Sequence, residues 1–379
     1  MSPLALLALA AVTRVPIDLA GNTTFVQVKV NGSGPYAFIL DTGAHSSSVS
    51  PDVVVKLGLP AREGAVAHGA GGAVASSRVP GVALSVGDAK LSGLELGSFP
   101  MTAIENSAGR RIDGVLGAEL FQKYIVELDY VALRMTLYEP KEFTAEGRGK
   151  GLSLSFHDNH PYVHAGVELP NGKKIEGEFV IDSGSSFPLI LVPSFIEEHG
   201  VRDAVAAPLV TAGRGVGGEV ALPIGRVAAL RLGTATLALP VTALPQEGWF
   251  AREGNVGNIG SAILRRFRVT FDYSRKRVYL EPNERLAQPF EFDMSGLVLV
   301  TEGPEYSVRR VQKVLPKTPA EEAGIVPGDQ IVSFDGKPAS ELKLPEIRDL
   351  LKQPDRSVPI EVLRDGGKVA VVLRTRRLV

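Results

Sequence analysis

The sequence contains no cysteine, has almost no net charge and lacks a long hydrophobic run. Without cysteine, the chain has no disulfides, no thiolate nucleophile and no cysteine-ligated zinc. The 41 lysines and arginines balance 42 aspartates and glutamates. The broad basic field that holds a nucleic-acid backbone is therefore missing, and we expect no nucleic-acid partner.

The length and composition are those of an ordinary globular protein. At about 150 residues per domain, the 379 residues predict two or three domains. With 44% hydrophobic and 22% charged residues, the composition argues against a disordered, collagen-like or coiled-coil chain. The chain is long enough to bury a large core, and that core must supply its stability by packing.

The longest apolar run, residues 3–12, lies at the amino terminus. It is shorter than the roughly 20 residues of a membrane-spanning helix, so we expect no transmembrane span. The run and the small residues Ala8 and Ala10 fit a secretory signal, although no lysine or arginine precedes them. We expect an exported protein, periplasmic or secreted, with residues 1–13 as the signal segment. A first strand of a cytoplasmic protein is the open alternative.

An internal repeat occupies most of the chain. Its two copies share an apolar strand followed by Asp-Thr/Ser-Gly, at Asp41–Gly43 in the first copy and at Asp182–Gly184 in the second. The period is therefore near 141 residues. Both copies then contain a glycine-rich stretch and end on a short apolar motif closed by glycine, Gly114–Gly117 and Asn258–Gly260. The repeat indicates two lobes with the same fold.

The local pattern in both copies is that of β-strands. Residues 25–30 alternate apolar with polar side chains, and Asn31-Gly32 then predicts a turn. Only short helical segments are predicted, such as residues 51–57. We therefore predict a mainly β fold in which residues 14–142 and 148–287 form two repeated lobes.

Asp41 and Asp182 are the candidate catalytic residues. Because they occupy the same place in the repeat, a pseudo-twofold axis would bring their loops face to face. Two carboxylates about 3 Å apart cannot both ionise, and they share one proton. The ionised aspartate can then take a proton from water while its partner donates to an amide carbonyl, which hydrolyses a peptide bond without a cofactor or a metal.

The residues that follow each aspartate have predicted supporting roles. The hydroxyls of Thr42 and Ser183 can bond across to the opposite loop and hold the carboxylates in register. Gly43 and Gly184 allow a tight turn whose N–H groups point at the acids. The alternative is that each Asp-Thr/Ser-Gly is simply a turn after a strand, an interpretation that the symmetric pair disfavours.

Residues 296–379 follow a different pattern. Thr318-Pro-Ala-Glu321 predicts a capping box at the start of a short helix, which Gly324 ends. Residues 345–352 predict a second helix, and residues 358–374 predict a hairpin. We expect a small β-sheet domain with two helices.

The paired Asp-Thr/Ser-Gly sites resemble the aspartic peptidases of the pepsin and retropepsin clan, and the short cysteine-free lobes resemble the bacterial retropepsin-like peptidases most. The resemblance implies a bilobal β fold, a cleft for an extended protein or peptide substrate, and a flap over the cleft at residues 66–74. Residues 213–218 are interpreted as a similar hairpin. A monomer suffices, because one chain carries both aspartates. The predicted flap residues are His68, Gly69, Ala70, Gly71 and Gly72.

Three positions depart from the pattern of this family. The flap has no tyrosine. Asn258 stands where an apolar residue is usual, which leaves the second lobe's support of Asp182 open. His45 stands where a small polar residue is expected; it is near enough to tune the charge of the pair, but we favour exposure at the surface.

Residues 317–336 resemble the most recognisable segment of a bacterial-type PDZ domain. The resemblance implies that a carboxyl-terminal peptide adds as a strand beside helix 345–352, with backbone N–H groups holding its terminal carboxylate. An ordinary edge strand is the alternative to the predicted carboxylate loop. The residues of that loop are Gly296, Leu297, Val298 and Leu299.

Two functions are carried forward. The first is an aspartic endopeptidase whose PDZ domain captures a substrate or partner. The alternative is a non-catalytic scaffold that binds peptides in the cleft and in the PDZ domain.

His157, His160 and His164 fit no zinc spacing and are interpreted as residues of a turn and a strand. Arg265-Arg266 is interpreted as a solvated face.

Overall fold

The first lobe consists of strands with three short helices between them, in a computed structural model that describes residues 12–247 and 254–379. Its strands are β1 (Val12–Pro16), β2 (Asp18–Ala20), β3 (Thr23–Val30), β4 (Ser33–Leu40), β5 (Ser48–Val49), β6 (Arg62–Gly69), β7 (Gly72–Val86), β8 (Ala89–Ser98), β9 (Gly114–Leu116), β10 (Ile125–Asp129) and β11 (Arg134–Tyr138). The helices are α1 (Pro51–Leu57), α2 (Thr102–Ala108) and α3 (Ala118–Lys123).

The second lobe repeats this arrangement. Its strands are β12 (Leu152–His157), β13 (His160–Glu168), β14 (Lys174–Asp182), β15 (Leu189–Leu191), β16 (Leu209–Gly215), β17 (Gly218–Arg226), β18 (Ala229–Leu232), β19 (Ala235–Ala238), β20 (Val241–Ala243), β21 (Asn255–Gly260), β22 (Phe267–Asp272) and β23 (Arg277–Pro282). The helices are α4 (Pro193–Glu198), α5 (Val201–Ala204) and α6 (Ser261–Leu264).

The C-terminal domain is a small antiparallel sheet with two helices. Its strands are β24 (Leu297–Glu302), β25 (Val308–Val314), β26 (Gln330–Phe334), β27 (Lys337–Pro338), β28 (Ser357–Arg364) and β29 (Gly367–Arg374). The helices are α7 (Pro319–Glu322) and α8 (Leu344–Leu350), with 3-10 turns at Pro304–Tyr306 and Ala339–Glu341. The sheet order is β24-β25-β26-β28-β29, which leaves β24 at a free edge.

The strand that precedes each aspartate is held by the same three-strand unit. In the first lobe, β4 pairs in parallel with β9, and β9 pairs antiparallel with β5. In the second lobe, β14 pairs in parallel with β21, and β21 pairs antiparallel with β15. Because parallel strands are buried on both faces, these apolar runs lie inside the core, where Phe38, Leu40, Phe179 and Ile181 are fully or almost fully buried.

The two lobes are joined by direct strand pairing. Strand β10 of the first lobe pairs antiparallel with β22 of the second, with Val126 opposite Phe271 and Leu128 opposite Val269. These are corresponding strands of the two copies, so the pairing forms a shared sheet around a pseudo-twofold axis. One hydrophobic core extends through both lobes, and the C-terminal domain has a core of its own.

The predicted mainly β fold, with two repeated lobes and a small C-terminal β domain, is confirmed. The boundaries 14–142, 148–287 and 296–379 stay predictions; residue 14 lies within β1, and residues 142, 148, 287 and 296 fall in connections between strands. The predicted signal segment lies outside the described residues, except for Val12 and Thr13, which pair with β11. None of the helices in the described ranges is long and apolar enough to cross a membrane.

Two local predictions are wrong in detail. Thr318 does not cap α7 through its side chain; its hydroxyl instead donates to the Leu315 carbonyl at 2.6 Å, and Glu321 accepts from the Lys317 N–H. Arg266 is buried and not solvated, with only 7% of its surface exposed. Its guanidinium donates to the carbonyls of residues 285, 286 and 289 and so holds the connection between the second lobe and the C-terminal domain.

Candidate active site

Asp41 and Asp182 face each other where the two lobes meet. Asp41 follows β4, Asp182 ends β14, and their carboxyl groups are hydrogen-bonded to each other. Burial at the floor of the cleft, and then the charge of Asp182, raise the pKa of Asp41 well above its ordinary value. The repeat therefore produces the proximity that the sequence predicted.

Each loop presents N–H groups to its own aspartate. The Gly43 N–H donates to Asp41 Oδ1 at 2.8 Å, and the Gly184 N–H donates to Asp182 Oδ1 at 2.8 Å. In the second lobe, the Ser185 N–H also donates to Asp182 Oδ1, at 2.9 Å. These bonds fix the orientation of both carboxyl groups.

Gly43 and Gly184 lie against the carboxyl group of the opposite lobe. A Cβ on Gly43 would stand 2.6 Å from Cγ of Asp182, and a Cβ on Gly184 would overlap Cγ of Asp41. Neither glycine has a positive φ. Glycine is required here because the opposite carboxylate leaves no room for a side chain, and not because the backbone needs a left-handed turn.

The two hydroxyls between aspartate and glycine cross-link the loops. Thr42 Oγ1 donates to the Ile181 carbonyl at 2.7 Å, and Ser183 Oγ donates to the Leu40 carbonyl at 2.9 Å. Each hydroxyl also accepts the backbone N–H of the other residue. Thr42 and Ser183 are both fully buried, so these bonds lie out of reach of competing water.

Asn258 contacts the pair directly. Its Nδ2 donates to Asp182 Oδ2 at 2.6 Å, and the side chain is buried. The sequence identified Asn258 as a departure from an apolar pattern but did not predict this contact. The signal that could have found it is the register: Asn258 lies beside Val180 on the strand parallel to β14, two residues before Asp182.

His45 bonds to the second lobe. It is exposed, and its Nδ1 lies 2.8 Å from the carbonyl of Asp158, in the turn between β12 and β13. The Asn159 amide returns a bond to the His45 carbonyl at 3.2 Å. His45 therefore ties the first lobe to the second. His157 and His160 flank the same turn, and His164 lies further along β13.

Both glycine-rich stretches form hairpins that meet above the aspartates. The first hairpin, β6–β7, turns at Ala70-Gly71, and the second, β16–β17, turns at Val216-Gly217. The Gly71 N–H donates to the Val216 carbonyl at 2.9 Å. Both hairpins line a cavity of about 2000 Å³ with Asp41 and Asp182 on its wall. The sequence predicted flap residues only in the first hairpin, and of these the structure places His68 and Gly69 in β6.

The same cavity continues to the C-terminal domain, where Leu297, Val298 and Leu299 line it together with residues of α8. This part is the groove between the free edge of β24 and helix α8. Arg348 of α8 crosses the groove and donates to the Leu299 carbonyl at 2.8 Å. Burial lowers the pKa of Arg348 to about 10.

Helix α2 of the first lobe occupies one side of this groove. Thr301 Oγ1 on β24 donates to the Asn106 carbonyl at 3.1 Å, and Arg348 donates to the Ser107 carbonyl at 2.7 Å. Gly109 ends α2 directly against Leu344 of α8. The groove is therefore in contact with a segment of this chain, a contact that no sequence pattern predicts.

The predicted carboxylate loop already uses two of its N–H groups. The Gly296 N–H donates to Asp293 Oδ1 at 2.6 Å, and the Leu297 N–H donates to Ser295 Oγ at 3.0 Å. Gly296 has φ +81° and packs against Thr318. The role of Gly296–Leu299 in binding a terminal carboxylate stays a prediction.

The second flap contacts the C-terminal domain. Glu219 of β17 pairs with Lys313 of β25 and with Arg214 of β16. Burial opposes the ionisation of Glu219, but the hydrogen bonds from Lys313 and Arg214 outweigh it and lower the pKa of Glu219. One flap and helix α2 are thus both attached to the same domain.

Comparison with known families agrees with both resemblances. Residues 26–120 match the family model for an aspartyl protease, and residues 310–364 match that for a PDZ domain. The first match includes Asp41 and ends before the second lobe. These matches confirm an aspartyl-protease-like region in the N-terminal part of the chain and a PDZ domain in the C-terminal part.

Whole-chain similarity is limited. No curated protein is significantly similar to this chain. Among the solved structures, the chain is similar to a photosystem II D1 C-terminal processing protease, with 30% identity and a TM-score of 0.22. That similarity covers 24% of this chain and 24% of the other, so the chain spans about a quarter of that protein's length.

Proposed function

We propose that this protein is an aspartic endopeptidase in which Asp41 and Asp182 share one proton and activate a water molecule. The observation that carries the proposal is the reciprocal packing of the two loops. Gly43 lies against the carboxyl group of Asp182 and Gly184 against that of Asp41, so the carboxyl groups are hydrogen-bonded to each other and face the cavity. A turn that merely ends a strand requires no such partner.

The reaction uses one acid and one base. The ionised aspartate takes a proton from water as the water oxygen attacks the carbonyl carbon of the peptide bond, and the protonated aspartate donates to the carbonyl oxygen. The aspartate that took the proton from water then passes it to the nitrogen, the C–N bond breaks, and the other aspartate takes back a proton from a hydroxyl of the intermediate as the carbonyl re-forms. Raising the pKa of Asp41 well above its ordinary value supports this division, because one proton then stays on the pair over a wide pH range.

The flaps would enclose an extended peptide above the pair. Their tips are joined by the Gly71–Val216 hydrogen bond, and substrate entry requires that this bond open. Because one chain supplies both aspartates and both flaps, a monomer can perform the reaction.

We further propose that the PDZ domain captures a carboxyl-terminal peptide by adding it as a strand to the free edge of β24. The continuity of the groove with the cavity at Asp41 and Asp182 supports a role in substrate delivery. Helix α2 lies on this edge through Asn106 and Ser107, so a peptide must compete with it.

The test is cleavage of a diverse peptide library from about pH 3 to 8 by the wild type, Asp41→Asn and Asp182→Asn. Both variants should lose all cleavage, because neither can hold one ionised and one protonated carboxyl group. The matched control is Asp88→Asn, an exposed turn residue away from the cleft, which should cleave like the wild type. If the wild type cuts nothing while its PDZ domain binds carboxyl-terminal peptides, the peptidase proposal fails and the scaffold function replaces it.

A further inference from the structure

The two halves of the active site differ at one strand position. In β21, Asn258 lies opposite Val180, and the corresponding residue of the first lobe, Val115, lies opposite Ile39 in the same register. Asn258 donates to Asp182 Oδ2 at 2.6 Å, whereas the valine has no hydrogen-bonding side chain to offer Asp41. The repeat therefore gives Asp182 a donor that Asp41 lacks.

Asn258 is poorly suited to a purely structural role. Its side chain is 1% exposed, and its Oδ1 has no hydrogen-bond partner among the described residues. An unsatisfied buried carbonyl oxygen costs stability, on the order of 1–3 kcal/mol. An apolar residue such as the valine of the first lobe would avoid that cost. The bond to Asp182 is what the amide adds at this position.

We infer that Asn258 is a positioning residue that makes Asp182 the ionised base and Asp41 the proton donor. A hydrogen bond donated to a carboxylate favours the charged form of that carboxylate. Within residues 12–247 and 254–379, the other donors to the pair are backbone N–H groups that both lobes supply, so Asn258 is what breaks the symmetry. This inference rests on the proposed peptidase function.

Burial raises the pKa of Asp41 and so keeps one proton on the pair, but Asp182 is buried as well, so the choice between the two aspartates falls to Asn258. Tyr273 stays neutral, since burial and then the charges of the two aspartates raise its pKa well above the ordinary value. His45, Asp158 and His160 also line the cavity. They are unchanged in Asn258 variants, so their titration cancels when a variant is compared with the wild type.

The first experiment measures kcat/KM against pH for a peptide without titratable side chains. Asn258→Val introduces the residue of the first lobe, and Asn258→Leu keeps the branched shape with the same number of heavy atoms. Both should move the acid limb of the profile up by about one pH unit, which is about a tenfold loss of activity on that limb. The double variant Val115→Asn/Asn258→Val returns one donor to the pair and should move the limb back.

Two results would overturn the inference. If the acid limb of the kcat/KM profile stays at the same pH in the variants, the Asn258 amide does not determine which aspartate is ionised. A limb that moves to lower pH shows that the Asn258 amide oxygen accepts a hydrogen bond from a neutral Asp182, with the amide oxygen and nitrogen exchanged. A purely structural role would lower stability or kcat at every pH and leave the limb where it is.

A second experiment needs no activity. In the full chain labelled with ¹³C at aspartate Cγ, and assigned with Asp182→Asn, the Asp182 resonance should titrate at lower pH than that of Asp41. The order should disappear in Asn258→Val. If the wild type cleaves nothing but the order is seen, the peptidase proposal fails, and what stands is that Asn258 sets which aspartate ionises first. If cleavage depends on both aspartates but the order is absent, only this inference fails.

Discussion

Thr42 and Ser183 exchange hydrogen bonds across the interface between the lobes. The Thr42 N–H donates to Ser183 Oγ at 3.0 Å, and the Ser183 N–H donates to Thr42 Oγ1 at 2.9 Å. Each hydroxyl then donates onward to a carbonyl of the opposite lobe. Since neither residue is exposed to water, the four bonds form a closed network that sets the distance between the aspartates.

Thr42→Val should disrupt this network without changing the shape of the side chain. It leaves the Ser183 N–H and the Ile181 carbonyl without partners, and each buried orphan costs roughly 1–3 kcal/mol. We expect the free energy of unfolding in urea to fall by about 2–4 kcal/mol and peptide cleavage to fall about a hundredfold. Thr42→Ser, which copies the second lobe, keeps every bond and should do neither. Equal behaviour of the two variants would contradict this role.

Asp41→Asn should change how stability depends on pH. The raised pKa of Asp41, caused by burial and then by Asp182, means that the folded protein holds this proton more tightly than the unfolded chain does. The resulting stabilisation is complete below the ordinary value of 3.8 and is lost as pH rises through the folded-state pKa. Asparagine stays neutral, so calorimetry should show the Tm of the variant equal to the wild type near pH 3 and higher near pH 7. If Tm falls or rises in parallel with pH in Asp41→Asn and in the wild type, the prediction is wrong. Asp88→Asn serves as the control.

Sequence reasoning predicted what depends on pattern and on repetition. The predicted bounds of α1 agree with the structure because its start and end are marked by local signals. These signals are the capping residue Ser50, a proline in the first turn, and Gly58 with a left-handed backbone. The meeting of Asp41 and Asp182 follows from the repeat alone, since a pseudo-twofold axis brings equivalent loops together. Neither inference requires knowledge of how distant segments pack.

What could not be predicted depends on contacts between segments far apart in the chain. From the sequence alone, Arg266 is predicted to be a surface charge. In the structure, the connection after β23 lies against it and supplies carbonyl acceptors. From the sequence alone, Asn258 is a departure from an apolar pattern. The register of β21 is what brings its amide within hydrogen-bond distance of Asp182. The α2 contact with Arg348 joins residues of different domains, and no local pattern encodes it.

Gly71→Ala should hold the two flaps apart. A Cβ at Gly71 would overlap the backbone of Gly218 on the other flap, and the Gly71–Val216 hydrogen bond could not form. We expect KM for peptide cleavage to rise about tenfold, with little change in unfolding. Gly97→Ala is the control, because its Cβ would meet nothing nearer than 3.8 Å. An unchanged KM would mean that the flap tips need not touch during turnover.

Gly109→Ala should open the PDZ groove by displacing helix α2. Gly109 has φ +72°, and a Cβ there would stand 2.8 Å from Cβ of Leu344 on α8. The contact of α2 with the groove competes with an added peptide strand, so weakening it should tighten peptide binding. We expect the Kd of a fluorescent peptide, chosen from a carboxyl-terminal peptide array, to fall about threefold or more in the full chain.

Gly58→Ala is the matched control for this last effect. Gly58 ends α1 as Gly109 ends α2, with nearly the same left-handed backbone at φ +60°, but an added Cβ would meet nothing within 4 Å. Both alanines therefore carry the same backbone strain, and only Gly109→Ala also collides with the groove. Tighter binding in Gly109→Ala alone supports competition between α2 and the peptide. Equal peptide affinity in both variants and the wild type would show that α2 and a bound peptide occupy the groove together.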